Sequence, residues 1–302
     1  MTSIIEVEHL RKTYGQVVAV DDVSLNVGEG EIFGMLGPNG AGKTTTVECL
    51  QGLRNADSGR VRVLGLDPQT QADELRRRIG CQLQESALPD RIKVWEALDL
   101  FASAARNSSD WQTLLQQWGL AEKRKATFGT LSGGQKQRLF ISLALVNRPK
   151  VVFLDEMTTG LDPAARLVAW DLIRAIRDKG ATVVLVTHFM DEAEELCDRV
   201  AIVDRGRVIA ADSPSGLIAQ HAAEVHVIFS TEKLDLSWLQ TVPNVTRVVK
   251  KGQRVEVEGS GPVLARVAAA LVEHDVLPTD LHAEQASLED VFLKLTGHRA
   301  TE

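Results

Sequence analysis

Short apolar runs alternate with helical segments along the first two thirds of the chain. The runs at 32–36, 151–154 and 182–186 are continuous and apolar, which is typical of strands covered by helices on both faces of a sheet. Further strands are predicted at 4–7, 23–27, 61–63, 79–83 and 200–203. This alternation predicts an α/β fold.

Between Ser86 and Arg148 the strand pattern stops and helical periodicity replaces it. Helices are predicted at 93–105, 110–118 and 135–147. We interpret residues of about 86–148 as a helical subdomain inserted into a domain that spans residues 1–218.

The pattern changes again after the turn-forming segment 212–216, Asp-Ser-Pro-Ser-Gly. Strands are predicted at 224–230, 244–250, 253–258 and 279–284, with a hairpin turn at 251–253. Helices are predicted at 233–240, 262–274 and 287–296. The order β-α-β-β-α-β is that of a ferredoxin-like unit, so residues 219–302 are predicted to form a C-terminal accessory or regulatory domain.

Composition is that of an ordinary globular chain, with 302 residues of which 44% are hydrophobic and 25% charged. No apolar run approaches the roughly 20 residues that span a bilayer, and no secretory signal is visible, so we expect a cytoplasmic protein. The net charge of −7 argues against nucleic acid as a partner. Three cysteines without paired spacing predict neither a disulfide framework nor a zinc site.

A glycine-rich loop follows the strand that ends at Leu36. It reads Gly37, Pro38, Asn39, Gly40, Ala41, Gly42, Lys43, Thr44, Thr45 and matches the phosphate-loop pattern G-x-x-x-x-G-K-[ST]. The glycines let backbone N–H groups face a phosphate chain, and the following helix adds its dipole. Lys43, expected on a solvent-accessible loop, supplies charge near the β- and γ-phosphates, and Thr44 offers a hydroxyl to Mg²⁺. The loop predicts a phosphate chain with Mg²⁺ as ligands; a glycine turn that merely caps a core helix is the alternative.

The apolar strand 151–154 ends in two carboxylates, Asp155 and Glu156. Strand alternation directs the two side chains to different sides. Asp155 can hold Mg²⁺, while Glu156 can orient or deprotonate the water that attacks the γ-phosphate. Acidic strand ends are common, but downstream of a phosphate loop they favour this role.

A second glycine-rich turn, Leu131, Ser132, Gly133, Gly134, Gln135, opens a helix just before the carboxylate strand. Its hydroxyl, its glycines and the free N–H groups of a helix start suit an anion. The sequence LSGGQ between a phosphate loop and a D-E strand resembles the signature of the ATP-binding-cassette (ABC) ATPases. The resemblance covers residues 1 to about 215 and implies a P-loop cassette with antiparallel and helical subdomains.

The resemblance implies roles for several further residues. Tyr14 stands where the family stacks an aromatic ring on adenine. Gln84 matches the glutamine that contacts Mg²⁺ and the lytic water, with Gln82 as the competing candidate. His188 resembles the switch histidine that contacts the γ-phosphate, and Asp162 resembles the aspartate that crosses to the partner's site. Met157 departs from the family, which usually has proline after the D-E pair, and we expect added loop freedom there.

A signature turn that serves the partner's phosphate loop implies a homodimer with two ATP molecules between head-to-tail cassettes. Loss of the shared γ-phosphate would then loosen the dimer.

The chain has one phosphate loop, no sustained heptad repeat and no cysteine pair, which favours a subunit that powers a separate membrane permease at the inner face of the membrane. A soluble, non-transport ABC ATPase is the alternative from another class.

The runs 82–89 and 287–297 resemble the daunorubicin-exporter type of export ATPase, which implies export of a drug, antibiotic or lipid-like substrate; an importer is the alternative. The five histidines beyond residue 220 show no ligand spacing, so solvated or core histidines are expected.

Overall fold

A computed structural model describes residues 2–82, 87–105, 108–221 and 225–297. The chain divides into two compact units, Met1–Pro214 and Ser215–Arg299. Among the helices of the described ranges, none combines the length and apolar composition needed to cross a membrane.

The first unit contains nine strands and seven α-helices in its described part. The strands are β1 (Ser3–Tyr14), β2 (Val17–Gly28), β3 (Ile32–Leu36), β4 (Ser58–Val63), β5 (Ile79–Gln82), β6 (Val151–Asp155), β7 (Thr182–Thr187), β8 (Arg199–Asp204) and β9 (Arg207–Asp212). The helices are α1 (Lys43–Leu50), α2 (Ala72–Arg76), α3 (Val94–Ala104), α4 (Trp111–Gln117), α5 (Gly133–Leu145), α6 (Pro163–Asp178) and α7 (Met190–Leu196). Single 3-10 turns lie at Ala121–Lys123 and Phe128–Thr130.

Two sheets share one core in this unit. The larger sheet has the order β5-β6-β7-β3-β8-β9, parallel from β5 to β8, with β9 antiparallel at the edge. The smaller sheet is antiparallel, with the order β2-β1-β4. Ile5 and Val7 of β1 belong to the same buried cluster as Phe33 and Met35 of β3 and Leu50 of α1. This packing confirms the predicted α/β class, because β3, β6 and β7 are buried along their whole length.

The predicted helices between 86 and 148 are confirmed in α3, α4 and α5, and local capping sets their starts. Asp110 accepts a hydrogen bond from the Gln112 N–H at 3.1 Å and begins α4. Ser132 and Gln135 form a capping box, so α5 begins at Gly133, two residues before the start that periodicity indicates. A Cβ at Gly80 would lie 2.2 Å from the Ala144 carbonyl oxygen, so only glycine allows β5 and α5 to approach this closely.

The second unit contains a four-stranded antiparallel sheet of order β11-β12-β10-β13. Its elements are α8 (Pro214–His221), β10 (Val225–Ser230), β11 (Val245–Lys251), β12 (Arg254–Gly259), α9 (Val263–Glu273), β13 (His282–Gln285) and α10 (Leu288–Thr296). Phe229 of β10 and Val257 of β12 share a buried cluster with Val267 and Leu271 of α9. The predicted hairpin is confirmed, because Gly252 (φ 63°) turns the chain between β11 and β12.

The helix predicted at 233–240 is wrong. The structure has only a 3-10 helix at Ser237–Thr241. The Asp235 carboxylate accepts hydrogen bonds from both the backbone N–H and the hydroxyl of Ser237. The 3-10 helix therefore begins at Ser237, four residues after the predicted start. Pro243 restricts the backbone soon afterwards, so no room remains for an α-helix.

Candidate functional site

Three adjacent strands of the larger sheet bring the predicted site residues to one edge. Strand β3 leads into Gly37, β6 ends at Asp155, and β7 is followed directly by His188. The three strands are parallel neighbours in the order β6-β7-β3, so their carboxyl ends lie side by side. Ligands of open α/β sheets bind at this edge.

The loop from Gly37 to Gly42 is shaped by its own backbone. The Ala41 N–H donates to the Pro38 carbonyl at 3.1 Å, and Gly42 adopts a left-handed conformation (φ 98°) immediately before α1. A Cβ at Gly42 would lie 2.2 Å from the Ala19 carbonyl oxygen, so both the angle and the space require glycine. The loop therefore presents a helix N-terminus of the kind that binds phosphate.

The sequence suggested that Lys43 is solvent-accessible, and this prediction is wrong. Only 5% of the residue is exposed. Its Nζ donates to the carbonyl oxygens of Gly37 at 2.8 Å and Pro38 at 3.0 Å. Burial lowers the pKa of Lys43, while the charges of Glu156 and Asp155 raise it. The lysine thus shares a low-dielectric site with the two carboxylates.

Asp155 is buried at the end of β6, and one of its oxygens, Oδ1, has no hydrogen-bond partner in the part of the chain that the structure describes. Burial raises the pKa of Asp155 to about 6, and the charge of Glu156 adds to this effect. The hydrogen bond with the Thr44 hydroxyl and the charge of Lys43 lower the pKa by less. A buried carboxylate with a free oxygen beside a hydroxyl is the donor set that Mg²⁺ prefers. Thr44 and Asp155 therefore fit the Mg²⁺ ion that the sequence analysis predicts at these two residues.

Glu156 and His188 meet although they follow different strands. The Glu156 N–H donates to the Val186 carbonyl at 2.9 Å, which fixes the residue against β7 in a left-handed conformation (φ 48°). His188 Nδ1 then lies 3.3 Å from Glu156 Oε1, and both side chains are largely buried. This pair can hold a water molecule or a phosphate oxygen between a carboxylate and an imidazole.

The signature turn lies at the start of α5, with Leu131 buried and Ser132 and Gly133 exposed. Ser132 and Gln135 cap each other, and Cβ atoms at Gly133 and Gly134 would meet open space. One turn further along α5, the Gln137 amide donates to the Met157 carbonyl. This contact links the signature helix to the loop after Glu156, and no pattern in the sequence indicated it.

Two further predicted residues lie on exposed ends of their elements. Asp162 caps α6 by accepting a hydrogen bond from the Ala165 N–H at 2.8 Å. Tyr14 ends β1 with 42% of the residue exposed. The Lys12 Nζ and the Arg54 guanidinium carbon lie 5.5 and 5.9 Å from its ring centroid. An exposed ring flanked by cations can stack on a base.

Gln84 lies outside the described residues. The competing residue, Gln82, is the last residue of β5 and is buried, and its Oε1 has no hydrogen-bond partner among the described residues.

The second unit contains a side-chain cluster that sequence spacing did not indicate. His226 of β10 faces Glu258 of β12 in the strand register, and its Nδ1 lies 2.9 Å from Glu256 Oε1. One ligand atom from each of the three side chains lies within 4.8 Å of the others. Arg247 pairs with Glu258 at 3.4 Å, so both carboxylates have a partner within the protein.

Comparison with known proteins points to one family. Residues 20–159 match a family model described as ABC transporter. The chain is 36% identical to daunorubicin resistance ATP-binding protein DrrA2 of Streptomyces coeruleorubidus, over 98% of this chain and 95% of that one. It is 40% identical to Nod factor export ATP-binding protein I of Paraburkholderia xenovorans, over 97% of each chain.

Solved structures share the fold of the larger part of the chain. The structure described as an ATP binding subunit of ABC transporter has a TM-score of 0.65 and 28% identity, covering 72% of this chain and 92% of that one. The structure of cbiO1 from Clostridium perfringens, described as part of the ABC transporter complex cbiONQ, has a TM-score of 0.66 and 28% identity, covering 73% and 92%.

Proposed function

This chain belongs to the ABC transporter family of ATP-binding proteins, and from that premise we propose how its residues bind ATP, hydrolyse it and pass the energy on. The chain is an ATPase subunit that powers export through a separate membrane permease. The observation that carries the mechanism is the convergence of buried Lys43, two carboxylates and His188 at the carboxyl edge of one sheet.

The phosphates of ATP bind in the loop formed by Gly37, Pro38, Asn39, Gly40, Ala41, Gly42, Lys43, Thr44 and Thr45. Lys43 exchanges its bonds to the Gly37 and Pro38 carbonyls for oxygens of the β- and γ-phosphates. The exchange is favourable because an anion compensates the buried ammonium better than two neutral carbonyls do. Tyr14 stacks on the adenine ring.

Thr44 and Asp155 hold Mg²⁺, together with Gln84. The unpartnered Oδ1 of Asp155 supports this assignment, because a buried carboxylate oxygen without a partner is costly unless a cation binds it. When bound, the cation neutralises charge on the transferred phosphoryl group.

Glu156 acts on the attacking water. Its carboxylate accepts a hydrogen bond from the water and takes its proton as the oxygen attacks the γ-phosphate. His188 contacts the γ-phosphate, and its 3.3 Å approach to Glu156 supports a joint position for water and phosphate between the two side chains.

The nucleotide site is completed by a second copy of the chain. The signature turn 131–135 of one copy, which exposes Ser132 and Gly133, covers the phosphates bound by the other, and Asp162 crosses at the same interface. The open space around Gly133 and Gly134 supports close approach of a phosphate. Leu167 and Val168 of α6 are exposed, and Val168 lines a pocket together with Gly134 and Gln137 of the signature helix. Exposed apolar residues at this place support burial against a partner.

The permease docks beside α3. A cleft of about 480 Å³ is lined there by Ala87, Leu88, Phe101, Phe140 and Leu143. Leu100 and Phe101 expose 58% and 44% of their surface, and large exposed apolar residues beside a cleft are typical of a docking surface for an amphipathic helix. Trp95, by contrast, packs on Trp111 with ring centroids 6.5 Å apart.

The substrate class follows from the named relatives, one of which acts in daunorubicin resistance and another in Nod factor export. We assign this chain to export of a drug-like or lipid-like compound, at the cytoplasmic face of the membrane and bound to its permease. The second unit is a ferredoxin-like accessory domain whose strand order supports this topology, although a 3-10 turn replaces its first helix.

The test is ATP hydrolysis by the purified chain, alone and with its permease in vesicles. We expect hydrolysis that requires Mg²⁺ and is stimulated by the permease. Phe101→Glu should abolish stimulation and leave basal hydrolysis unchanged. Leu234→Glu, at an exposed leucine of the second unit, is the control and should retain stimulation. No hydrolysis by the wild-type chain under any of these conditions would refute the function.

A further inference from the structure

Glu192 is fully buried, which is unusual for an acidic residue, and no step of the proposed hydrolysis uses it. It lies in α7, which begins two residues after His188. Its Oε1 accepts a hydrogen bond from the Trp170 indole N–H at 3.1 Å. Trp170 belongs to α6, the helix that Asp162 caps. One carboxylate oxygen of Glu192 thus ties α7 to α6.

The second oxygen, Oε2, is buried and has no hydrogen-bond partner among the described residues. The hydroxyls of Thr187 and Thr158 are close enough to lower the pKa of Glu192, although burial raises it more strongly. Glu192 Oε2 and Thr158 Oγ1 are both buried, and within the described ranges neither has a partner at full hydrogen-bond geometry. Unsatisfied buried polar atoms are costly, so a small movement that joins the carboxylate and the hydroxyl is favoured.

The two threonines occupy the segments that carry the site residues. Thr187 immediately precedes His188, and its hydroxyl accepts a hydrogen bond from the Phe189 N–H at 3.0 Å. Thr158 lies two residues after Glu156, and its carbonyl accepts a hydrogen bond from the Leu161 N–H at 3.2 Å, next to Asp162. Glu192 therefore stands between the turn of His188 and the loop that runs from Glu156 to Asp162.

We infer that Glu192 is a positioning residue that couples the His188 turn to the loop from Glu156 to Asp162, with Thr158 and Thr187 as its contacts. The carboxyl group joins the two segments so that His188 and Glu156 reach their working positions together. This inference rests on the proposed function, because it concerns the same site. It assigns Glu192 no contact with ATP.

The coupling predicts an effect on turnover and not on nucleotide affinity. Glu192→Ala should lower kcat about tenfold, since small displacements of catalytic groups reduce rates steeply, while KM for ATP stays within about twofold. Glu192→Gln should restore most of kcat, because the amide still accepts from Trp170 and can donate to a threonine hydroxyl. Glu195→Ala is the control on the same helix, since Glu195 is exposed and pairs with Arg174.

A purely structural role of Glu192 gives a different result. In that case Trp170→Phe, which removes the indole donor, should lower kcat as much as Glu192→Ala, and each loss should follow the fall in Tm. Equal losses in these two variants, or an unchanged kcat in Glu192→Ala, would overturn the inference. The proposed function is tested separately, by whether the wild-type chain hydrolyses ATP at all.

A double-mutant cycle gives the same information if Glu192→Ala does not fold. Thr158→Val keeps the side-chain shape and removes the hydroxyl. It should lower kcat in the wild-type chain and have a smaller effect in a Glu192→Met chain, because methionine keeps the length of the side chain but cannot hydrogen-bond the hydroxyl. Losses that multiply independently would show that Thr158 and Glu192 are not coupled and would contradict the inference.

Discussion

The Nδ1 atom of His188 lies 3.3 Å from Oε1 of Glu156, although 32 residues separate the two in the chain. The contact exists because β6 and β7 are parallel neighbours, so that the residues after each strand emerge at the same edge. A carboxylate held beside an imidazole in a largely buried position is suited to act on a water molecule.

Glu156→Gln should bind ATP and fail to hydrolyse it. The amide keeps the shape of the side chain but cannot accept a proton, and loss of a general base typically reduces rates by about 10²–10⁴-fold. With Mg-ATP the variant should therefore accumulate as a dimer, which size-exclusion chromatography measures. Turnover at the wild-type rate would show that Glu156 is not the base.

Lys43→Ala should lose ATP affinity and also lose stability without nucleotide. The substitution leaves the Gly37 and Pro38 carbonyls without their donor and removes the cation beside Asp155 and Glu156. A loss of about 1–3 kcal/mol is expected, which corresponds to a fall in Tm of several degrees for a unit of this size. Lys125→Ala, at an exposed position, is the control for scanning calorimetry. An unchanged Tm in Lys43→Ala would contradict the buried position.

A heterodimer of Ser132→Arg and Lys43→Ala chains tests whether the signature turn acts on the partner. If it does, both defects fall on the same composite site, and the other site keeps an intact Lys43 and an intact Ser132. The expected result for doubly tagged, purified heterodimer is about one bound ATP per dimer, whereas each homodimer variant should be defective at both sites. A heterodimer with neither site functional would place the signature turn at the site of its own chain.

Glu192→Gln should stabilise the nucleotide-free protein increasingly as the pH rises. Burial, assisted by the charge of Asp191, raises the pKa of Glu192 above its ordinary value of 4.5. The folded state thus retains a proton that the unfolded state has lost, and wild-type stability falls as the pH rises from about 4.5 through the raised pKa. The Tm of the variant relative to wild type should be higher at about pH 8 than at about pH 5, by scanning calorimetry. A difference that shrinks with rising pH would contradict the raised pKa.

The sequence indicated the buried strands, the helices between 86 and 148 and the phosphate loop because each of them depends on a local pattern, whereas the helix predicted at 233–240 did not form. Continuous apolar runs predicted β3, β6 and β7, since a strand buried on both faces has no polar side. The phosphate loop was readable because closely spaced glycines, a lysine and a threonine are all required within nine residues. The family resemblance rested on residues of the same kind, Leu131 to Gln135 in particular, and the comparisons with known proteins confirm it.

Tertiary structure alone decided which distant residues meet and how deeply they are buried. Lys43 was expected at an accessible loop, but the fold buries it on backbone carbonyls and beside two carboxylates at the end of another strand. Other contacts also join residues that are far apart in the chain and share no sequence pattern. Examples are the contact of Gln137 with Met157, the cluster around His226 and the contacts of Glu192. Strand order and helix packing place such residues together. The energies that decide this packing are summed over the whole core, so a local segment of the sequence does not predict which distant residues meet.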